Sequence, residues 1–255
     1  MTIFLGSSPL RRMVDGVQLF TVAEKLMEVL SLKISGTDRV RIKIASPWVS
    51  DHAFTFSGRG TFSAIYPEAR KEVYFSEIIK RISRRGEVQL ICRPPHQLFS
   101  AEGIMLLSRL LKEQESLRRE AIDEAISSLR GDILCFKGMI KMLHELKASN
   151  VKIRYIQDLH AKVLIIDDDL ALLGSSNYTY SGMYKNIEIN ILFSEKDIIK
   201  NVEKIFDSMW ESAETIEEYS KKDEFRRLLL CLRELQEDPA FNELYVMLES
   251  MHQTS

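Results

Sequence analysis

The stretch that decides the fold covers residues 160–179 and has the sequence HAKVLIIDDDLALLGSSNYT. Two short apolar runs, Val163–Ile166 and Leu170–Leu173, are separated by three aspartates, a pattern typical of two strands joined by a tight turn. Apolar and polar residues then alternate over residues 187–191, which predicts a third strand. Because the residues that flank these strands are polar, the chemistry of the chain is expected at the strand ends.

Six polar residues flank the predicted strands as three pairs, and the members of each pair are two residues apart. The pairs are His160 with Lys162, Ser175 with Asn177, and Asn186 with Glu188. Side chains two apart on a strand point to the same face, so neighbouring strands bring all six groups to one place. Such a set suits phosphoryl transfer, since an imidazole can attack phosphorus while an ammonium and an amide donate to the non-bridging oxygens. Glu188 is expected to accept a hydrogen bond from the second ring nitrogen of His160 and to fix its tautomer.

The pattern HxK-x4-D-x6-GSxN resembles the HKD motif of the phospholipase D superfamily. Together with the later Asn186-x-Glu188, it most resembles the single-motif nuclease branch. The convincing similarity covers about residues 151–193, and a weaker one covers residues 39–50 and 77–95. The resemblance implies a catalytic set: His160 as the nucleophile, Lys162 and Asn177 as phosphate ligands, Ser175 as a supporting donor and Glu188 as the partner of His160.

Four more residues complete the predicted site. The resemblance implies structural roles for Asp167, in the acidic turn, and for Gly174. A predicted strand ends at Ser46-Pro47-Trp48, where this family begins the wall of its site, so Trp48 is expected to contact substrate. Residues 54–62 predict a hairpin with Arg59, a further substrate contact, at its tip. The aromatic residues of this hairpin either belong to a core or form a stacking platform for unpaired bases.

The expected fold class is α/β: a phospholipase D-like mixed β-sheet flanked by helices, with a helical insertion and C-terminal helices. The predicted organisation is an N-terminal helical segment over residues 1–38, a catalytic domain over 39–212 with its insertion at about 99–132, and a C-terminal helical extension over 213–255. The remaining predicted strands cover residues 40–45, 87–92 and 151–156, and the predicted helices cover residues 17–34, 73–85, 133–148, 198–210, 223–236 and 239–251. Residues 1–12 are expected to be a loose end.

Composition and patterning exclude several classes of protein. Cys92, Cys135 and Cys231 are few and far apart, which indicates reduced thiols and a cytoplasmic protein rather than a disulfide framework. The first residues lack the pattern of a signal peptide, and no run approaches the ~18 apolar residues of a membrane span, so no membrane partner is expected. The five histidines are scattered without a ligand-spaced pair, so neither a metal nor another cofactor is expected.

The expected function is metal-independent cleavage of nucleic acid by a phosphodiesterase, most simply an endonuclease, through a phosphohistidine. The family's chemistry needs two histidines and the motif occurs once, so the active site is expected to be shared across a homodimer. Residues 1–98 carry 15 Lys and Arg against 9 Asp and Glu, which favours a nucleic-acid partner, with DNA expected before RNA. Two alternatives stay open: a phospholipid hydrolase or phosphatidyl transferase, and a non-catalytic nucleic-acid-binding scaffold in a processing or defence complex.

Overall fold

A computed structural model describes residues 3–6, 26, 29, 30, 32, 33, 36, 38–55, 72–98, 127, 136–186, 188–237 and 239–253. Its strands are β1 (Ile3–Gly6), β2 (Arg41–Ala45), β3 (Ala53–Thr55), β4 (Glu72–Tyr74), β5 (Glu87–Cys92), β6 (Lys152–Tyr155), β7 (Val163–Ile166), β8 (Leu170–Gly174), β9 (Ile189–Phe193) and β10 (Glu214–Thr215). Its helices are α1 (Phe75–Ser83), α2 (residues 136–147), α3 (Lys196–Ser212), α4 (Ile216–Ser220), α5 (Asp223–Glu234) and α6 (Pro239–Gln253). Single turns of 3-10 helix (Pro95–Leu98) and of π-helix (Ser181–Lys185) complete the described elements.

Eight of these strands form one mixed sheet in the order β1-β9-β8-β7-β2-β5-β6-β10. Strands β2, β5 and β6 are parallel neighbours, and every other neighbouring pair in the sheet is antiparallel. The hairpin β7–β8, whose strands are joined by the three aspartates 167–169, is the one that the acidic turn predicts. The prediction of an α/β fold with a mixed sheet flanked by helices is therefore confirmed.

Apolar side chains alternate across the sheet and fill a core on each face. On one face Ile42 and Ile44 of β2 belong to a core that α1, α2 and the C-terminal helices share. On the other face Ala45 and Ile165 pack against α3, whose Phe206 is fully buried. Burying a side chain of that size stabilises the fold by roughly 3 kcal/mol. The sheet is therefore packed firmly between two layers of helix.

Lys43 is a charged residue in the middle of the central strand β2, and its surroundings explain why it is tolerated there. Its ammonium forms ion pairs with Glu203 at 2.8 Å and Asp207 at 2.6 Å, both on α3. It also lies 5.7 Å from the centroid of the Phe206 ring. The charge is thus paired where the side chain crosses the sheet surface, which also fixes α3 in register with β2.

The structure differs from the sequence-based expectation at three element boundaries. Ile3–Gly6, expected in a loose end, pairs with β9 as an edge strand. Residues 72–74 form β4 rather than the start of a helix, and α1 begins at Phe75 because the Asp51 carboxylate accepts hydrogen bonds from the backbone and hydroxyl of Ser76. Glu214–Thr215 adds a short strand beside β6, within the predicted C-terminal extension.

The predicted hairpin and insertion fall largely outside the described residues. Phe54 is in a strand, as expected, and this strand, β3, pairs with β4; residues 56–62 lie outside the described residues. Arg59 lies outside the described residues, and so does the predicted insertion at about 99–132 apart from residue 127, which is helical. Within the described part of the chain, no helix combines the length and the apolar character needed to cross a bilayer.

Candidate active site

The predicted polar residues gather at one end of the sheet, where β6 and β8 end and β7 and β9 begin. Strand register sets this arrangement, because Val163 is opposite Leu173 and Gly174 is opposite Asn190. The ladder continues one step into the site, where the Gly174 amide donates to the Lys162 carbonyl at 3.3 Å and the Ser175 amide donates to a β9 carbonyl at 3.0 Å. The residues that follow β8 are therefore placed beside those that precede β7.

His160 and Lys162 are in direct contact. The Lys162 ammonium donates to the His160 carbonyl at 2.9 Å and lies 3.4 Å from Nδ1 of the ring. This contact leaves Nε2 of the exposed imidazole as the ring nitrogen that faces away from the ammonium. Burial lowers the pKa of Lys162, the Glu188 carboxylate opposes that shift, and the Arg93 guanidinium adds to it. The ammonium thus has a cation and an anion as close neighbours.

Ser175, Glu188 and Asn186 form a second group of contacts. The Ser175 hydroxyl donates to Oε2 of Glu188, and the Asn186 amide donates to Oε1 at 3.2 Å. The carboxylate is therefore held on both oxygens by its own chain. The predicted hydrogen bond from His160 to Glu188 is not among those of the described residues, and Glu188 acts on Lys162 through its charge.

Asn177 lies beside these groups without a hydrogen bond to them among the described residues. Its Oδ1 atom is buried and has no hydrogen-bond partner. The π-helical turn folds back on the Asn177 backbone so closely that a Cβ atom on Gly182 would lie 2.3 Å from the Asn177 carbonyl oxygen. Asn177 is consequently held by its backbone, and its amide is uncommitted.

The burial of β9 does not follow the polarity of its residues. Ile189 is 68% exposed and Asn190 is 1% exposed. The reason is a buried polar pair, because the Asn190 amide donates to the Ser176 hydroxyl at 2.8 Å. This pair fixes the segment after β8 against β9, and a Cβ atom on Gly174 would lie 2.2 Å from Oδ1 of Asn190.

Trp48 forms a wall of the site together with a residue that the motif does not include. The Arg93 guanidinium lies 5.4 Å from the centroid of the Trp48 ring, and its Nε donates to the Leu159 carbonyl at 2.9 Å, next to His160. The buried Ser46 hydroxyl donates to the Trp48 carbonyl at 2.8 Å and accepts from the amide of Tyr178 at 3.3 Å. Ser46 and Trp48 lie just after β2, and Arg93 lies just after β5. These positions at strand ends were the sequence signal for their place beside the site.

Asp167 lies at the opposite end of the sheet from the site, in the β7–β8 turn. It has a positive φ of 49°, and its carboxylate accepts from the Arg41 amide at 2.7 Å and pairs with Lys33 at 2.7 Å. Aspartate tolerates this backbone conformation better than most residues and also supplies the acceptor. This geometry agrees with the structural role that the motif implies.

Two other histidines are packed against aromatic rings. His52 is buried, stacked on Phe75 at 5.3 Å and edge-on to Tyr184 at 6.4 Å, and burial lowers its pKa. His96 shares a hydrogen bond of 2.8 Å with the Tyr219 hydroxyl. Among the described residues, no group of three or more His, Cys, Asp and Glu side chains is placed to hold a metal ion.

Comparison with known proteins agrees with this geometry. A family model described as "Cardiolipin synthase, PLD-like domain" matches residues 61–210, which is more than half of the chain. The chain belongs to the phospholipase D superfamily. Among curated proteins, none matches the sequence closely enough to count as a relative.

Several solved structures are similar to the chain at low sequence identity. A phospholipase D family member, Nuc from Salmonella typhimurium, is 15% identical over 84% of this chain and 97% of its own, with a TM-score of 0.42. NucT from Helicobacter pylori is 18% identical over 77% of this chain and 96% of its own, with a TM-score of 0.40. Phosphatidylserine synthase from Haemophilus influenzae is 15% identical over 95% of this chain and 44% of its own, with a TM-score of 0.42.

Proposed function

We propose that this phospholipase D-like protein is a metal-independent phosphodiesterase that cleaves nucleic acid, with an active site shared by two copies of the chain. The observation that carries the proposal is the convergence of His160, Lys162, Ser175, Asn177 and Glu188 at one end of the sheet. These are a nucleophile, a cation, two neutral donors and a carboxylate. Together they match what an in-line attack on a phosphodiester requires.

In the proposed reaction, Nε2 of His160 forms a bond to phosphorus while the bond from phosphorus to the leaving oxygen breaks. The protonated His160 of the second subunit gives that oxygen its proton. The same histidine then takes a proton from water, whose oxygen bonds to phosphorus as the phosphorus–nitrogen bond breaks. One phosphodiester and one water become a phosphomonoester and an alcohol. Lys162 and Asn177 of both subunits donate to the non-bridging oxygens, and Glu188 orients the site.

The homodimer is part of the proposal, because one chain supplies one histidine of the two that the reaction uses. An exposed apolar residue at the site supports it. Ile189 is 68% exposed, and its backbone is hydrogen-bonded to Ser175 at the rim of the site. A two-fold axis through the site would cover this side chain and bring the two His160 rings together.

Nucleic acid is proposed as the substrate because cations accompany the site. Arg93 lies against Trp48 beside His160, where a guanidinium and an indole suit a phosphate and a neighbouring base. Phospholipid is the second candidate, and the observation that favours it is the matched family model, whose description names cardiolipin synthase. The substrate panel must therefore contain both classes.

The deciding experiment measures turnover of oligonucleotides, of a chromogenic phosphodiester and of phosphatidylglycerol vesicles, each with and without excess EDTA. We expect oligonucleotide cleavage that EDTA leaves intact, because the proposed roles are filled by an imidazole, an ammonium and amides. His160→Ala is expected to abolish turnover, and Lys162→Ala to reduce it by roughly 10²–10³-fold. A phosphohistidine trapped by an alkaline denaturing quench in the wild-type protein supports the covalent step.

Three outcomes contradict parts of this proposal. Strict dependence on Mg²⁺ removes the assigned mechanism. Turnover of phospholipid without oligonucleotide cleavage promotes the second candidate. Oligonucleotide binding with no turnover of any substrate favours the scaffold alternative.

A further inference from the structure

A concave surface outside the active site runs along α1, and four of the eight residues that line it are cations. Its volume is about 610 Å³. The residues that line it are Asp51, Tyr74, Ser76, Glu77, Lys80, Arg81, Arg84 and Arg85. We call this surface the α1 groove. Four basic residues at positions i, i+1, i+4 and i+5 lie on one face of a helix and its end, so they form a continuous basic wall.

The α1 groove is lined by four cations and two carboxylates, Asp51 and Glu77, so the net charge of its lining is +2. Asp51 accepts hydrogen bonds from the amide of Ser76 at 3.0 Å and from its hydroxyl at 2.9 Å, which places it at the start of α1. Lys80 is paired with Glu145 on α2. Arg84 is exposed, and Arg85 donates to the Gly36 carbonyl at 3.2 Å.

The two ends of the α1 groove differ in character. Tyr74, half of whose side chain is exposed, lies at the end near the active site. That end is tied to the motif, because the amide of Ser50, next to Asp51, donates to the carbonyl of Tyr178 at 2.9 Å. The cations lie toward the other end, where α1 ends. The groove therefore leads away from the site with an aromatic side chain first and a basic wall after it.

We propose that the α1 groove binds the phosphate backbone of the nucleic-acid strand beyond the phosphodiester in the active site. The inference rests on the proposed function and extends it by naming where the substrate strand lies. Nine helical residues span roughly 13 Å, which is long enough for the phosphates of a few nucleotides. Tyr74 offers a ring to the first base, and the arginines offer charges to the phosphates that follow. The cations at the end of α1 also interact favourably with the helix dipole, but this interaction alone does not explain why they line a concave surface.

The test uses the full chain with His160→Ala, so that substrate is bound and not cut. Fluorescence anisotropy measures the affinity for a single-stranded oligonucleotide over a series of KCl concentrations. Each phosphate that a cation neutralises contributes ~0.7 to the slope of log affinity against log salt for a single strand. We expect Arg84→Ala to lower the slope by about 0.7 and Arg81→Ala/Arg84→Ala by about 1.4.

Matched variants separate the α1 groove from general charge and from folding. Lys200→Ala/Lys204→Ala also removes two exposed charges, but from α3 on the opposite face of the sheet, and is expected to keep the slope. Arg81→Lys/Arg84→Lys keeps the charges and is expected to keep the slope as well. Thermal unfolding of each variant shows whether the fold has survived.

An unchanged slope in both arginine-to-alanine variants overturns the groove, while oligonucleotide cleavage by the wild-type protein leaves the proposed function standing. An equal loss of slope in the α3 variant also overturns it. The groove inference also fails if the arginine-to-alanine variants lose binding to phosphatidylglycerol vesicles but keep their binding to the oligonucleotide. Vesicle turnover with no oligonucleotide bound at all removes the proposed function and the groove together.

Discussion

At the scale of single residues, Lys162 has the surroundings that say most about the chemistry. Its ammonium touches His160, and its pKa is lowered chiefly by burial, with Glu188 opposing the shift and Arg93 adding to it. The proposed reaction needs the charged form, which stabilises the developing charge on phosphate. A lowered pKa means that this charge is lost at a lower pH than for an ordinary lysine. Lys162 is therefore expected to set the alkaline limit of activity.

Replacing the charged neighbours of Lys162 should move that limit in opposite directions. Arg93→Gln removes a cation that lowers the pKa of Lys162, so the alkaline fall in kcat should shift to higher pH. Glu188→Gln removes the anion that raises this pKa, so the fall should shift to lower pH, along with a lower rate. The measurement is the pH dependence of kcat on a chromogenic phosphodiester.

Lys162→Arg provides the control for this assignment. A guanidinium stays charged throughout the accessible range, so whatever activity remains should lose its alkaline fall. If the fall keeps its position in all three variants, another group sets it.

The residues of the HKD motif were predictable because their spacing is fixed by strand geometry, which the sequence itself carries. The contacts that hold them were not. Arg93 is 66 residues from the Leu159 carbonyl that it binds, and Ser46 is 132 residues from Tyr178. Asn190 interrupts an apolar run, and this was a visible signal of a buried polar pair. The alternating pattern predicted the strand but not which of its faces is buried.

At the scale of elements, the acidic turn between β7 and β8 shows how one motif position acts far from the chemistry. Asp167 holds a positive φ of 49° and binds the Arg41 amide, which ties the turn to the start of β2. The turn sets the register of β7 against β8. Register in turn decides whether Lys162 and Ser175 meet at the other end of the hairpin.

Substitutions of Asp167 should therefore change stability and leave the rate of the folded enzyme nearly intact. Asp167→Ala loses the hydrogen bond and the tolerance of a positive φ, at a cost of about 1–3 kcal/mol. Asp167→Asn keeps both and loses mainly the partly exposed ion pair with Lys33, at a cost below about 1 kcal/mol. Urea unfolding measures the stabilities, and kcat is compared per folded molecule. A large fall in kcat for Asp167→Asn would show that the aspartate takes part in the chemistry.

Elements with a strong local pattern were predictable, and those fixed by distant partners were not. Strands β2, β5, β7 and β8 and helix α3 follow the predicted ranges closely, since each has a continuous apolar run or face. The start of α1 depends on Asp51, which is 25 residues from Ser76. The two-residue strand β10 exists only through its pairing with β6, so no local pattern indicated it.

At the scale of the whole molecule, the C-terminal helices share the core of the sheet. Tyr219, Phe225 and Phe241 belong to the same buried cluster as Ile42 and Ile44 of β2. Sequence patterns indicated the helices but not where they pack, because that depends on surfaces contributed by distant strands. With these helices on one face and α3 on the other, the two copies of the proposed dimer would meet at the end of the sheet that carries His160.

The exposed Ile189 offers a direct test of that second copy. Ile189→Asp places a charge at the rim of the site without disturbing the core of the chain, because the side chain is 68% exposed. We expect a monomer by light scattering and a loss of activity, since an unpaired charge would be buried in the interface. Val246→Asp is the control, because Val246 is also exposed, at 53%, but lies on α6. A dimer that survives Ile189→Asp would place the interface elsewhere.

Mixing subunits tests whether both histidines serve one site. In the proposed reaction, one His160 attacks phosphorus and the other protonates the leaving oxygen, so a dimer with a single His160→Ala subunit is inactive. If wild-type and His160→Ala chains are refolded together, activity should fall as the square of the wild-type fraction, to about one quarter in an equal mixture. A chain that carries a complete site loses activity in proportion, to about one half. Because the total concentration is constant, the curvature of this plot distinguishes a shared site from two independent ones.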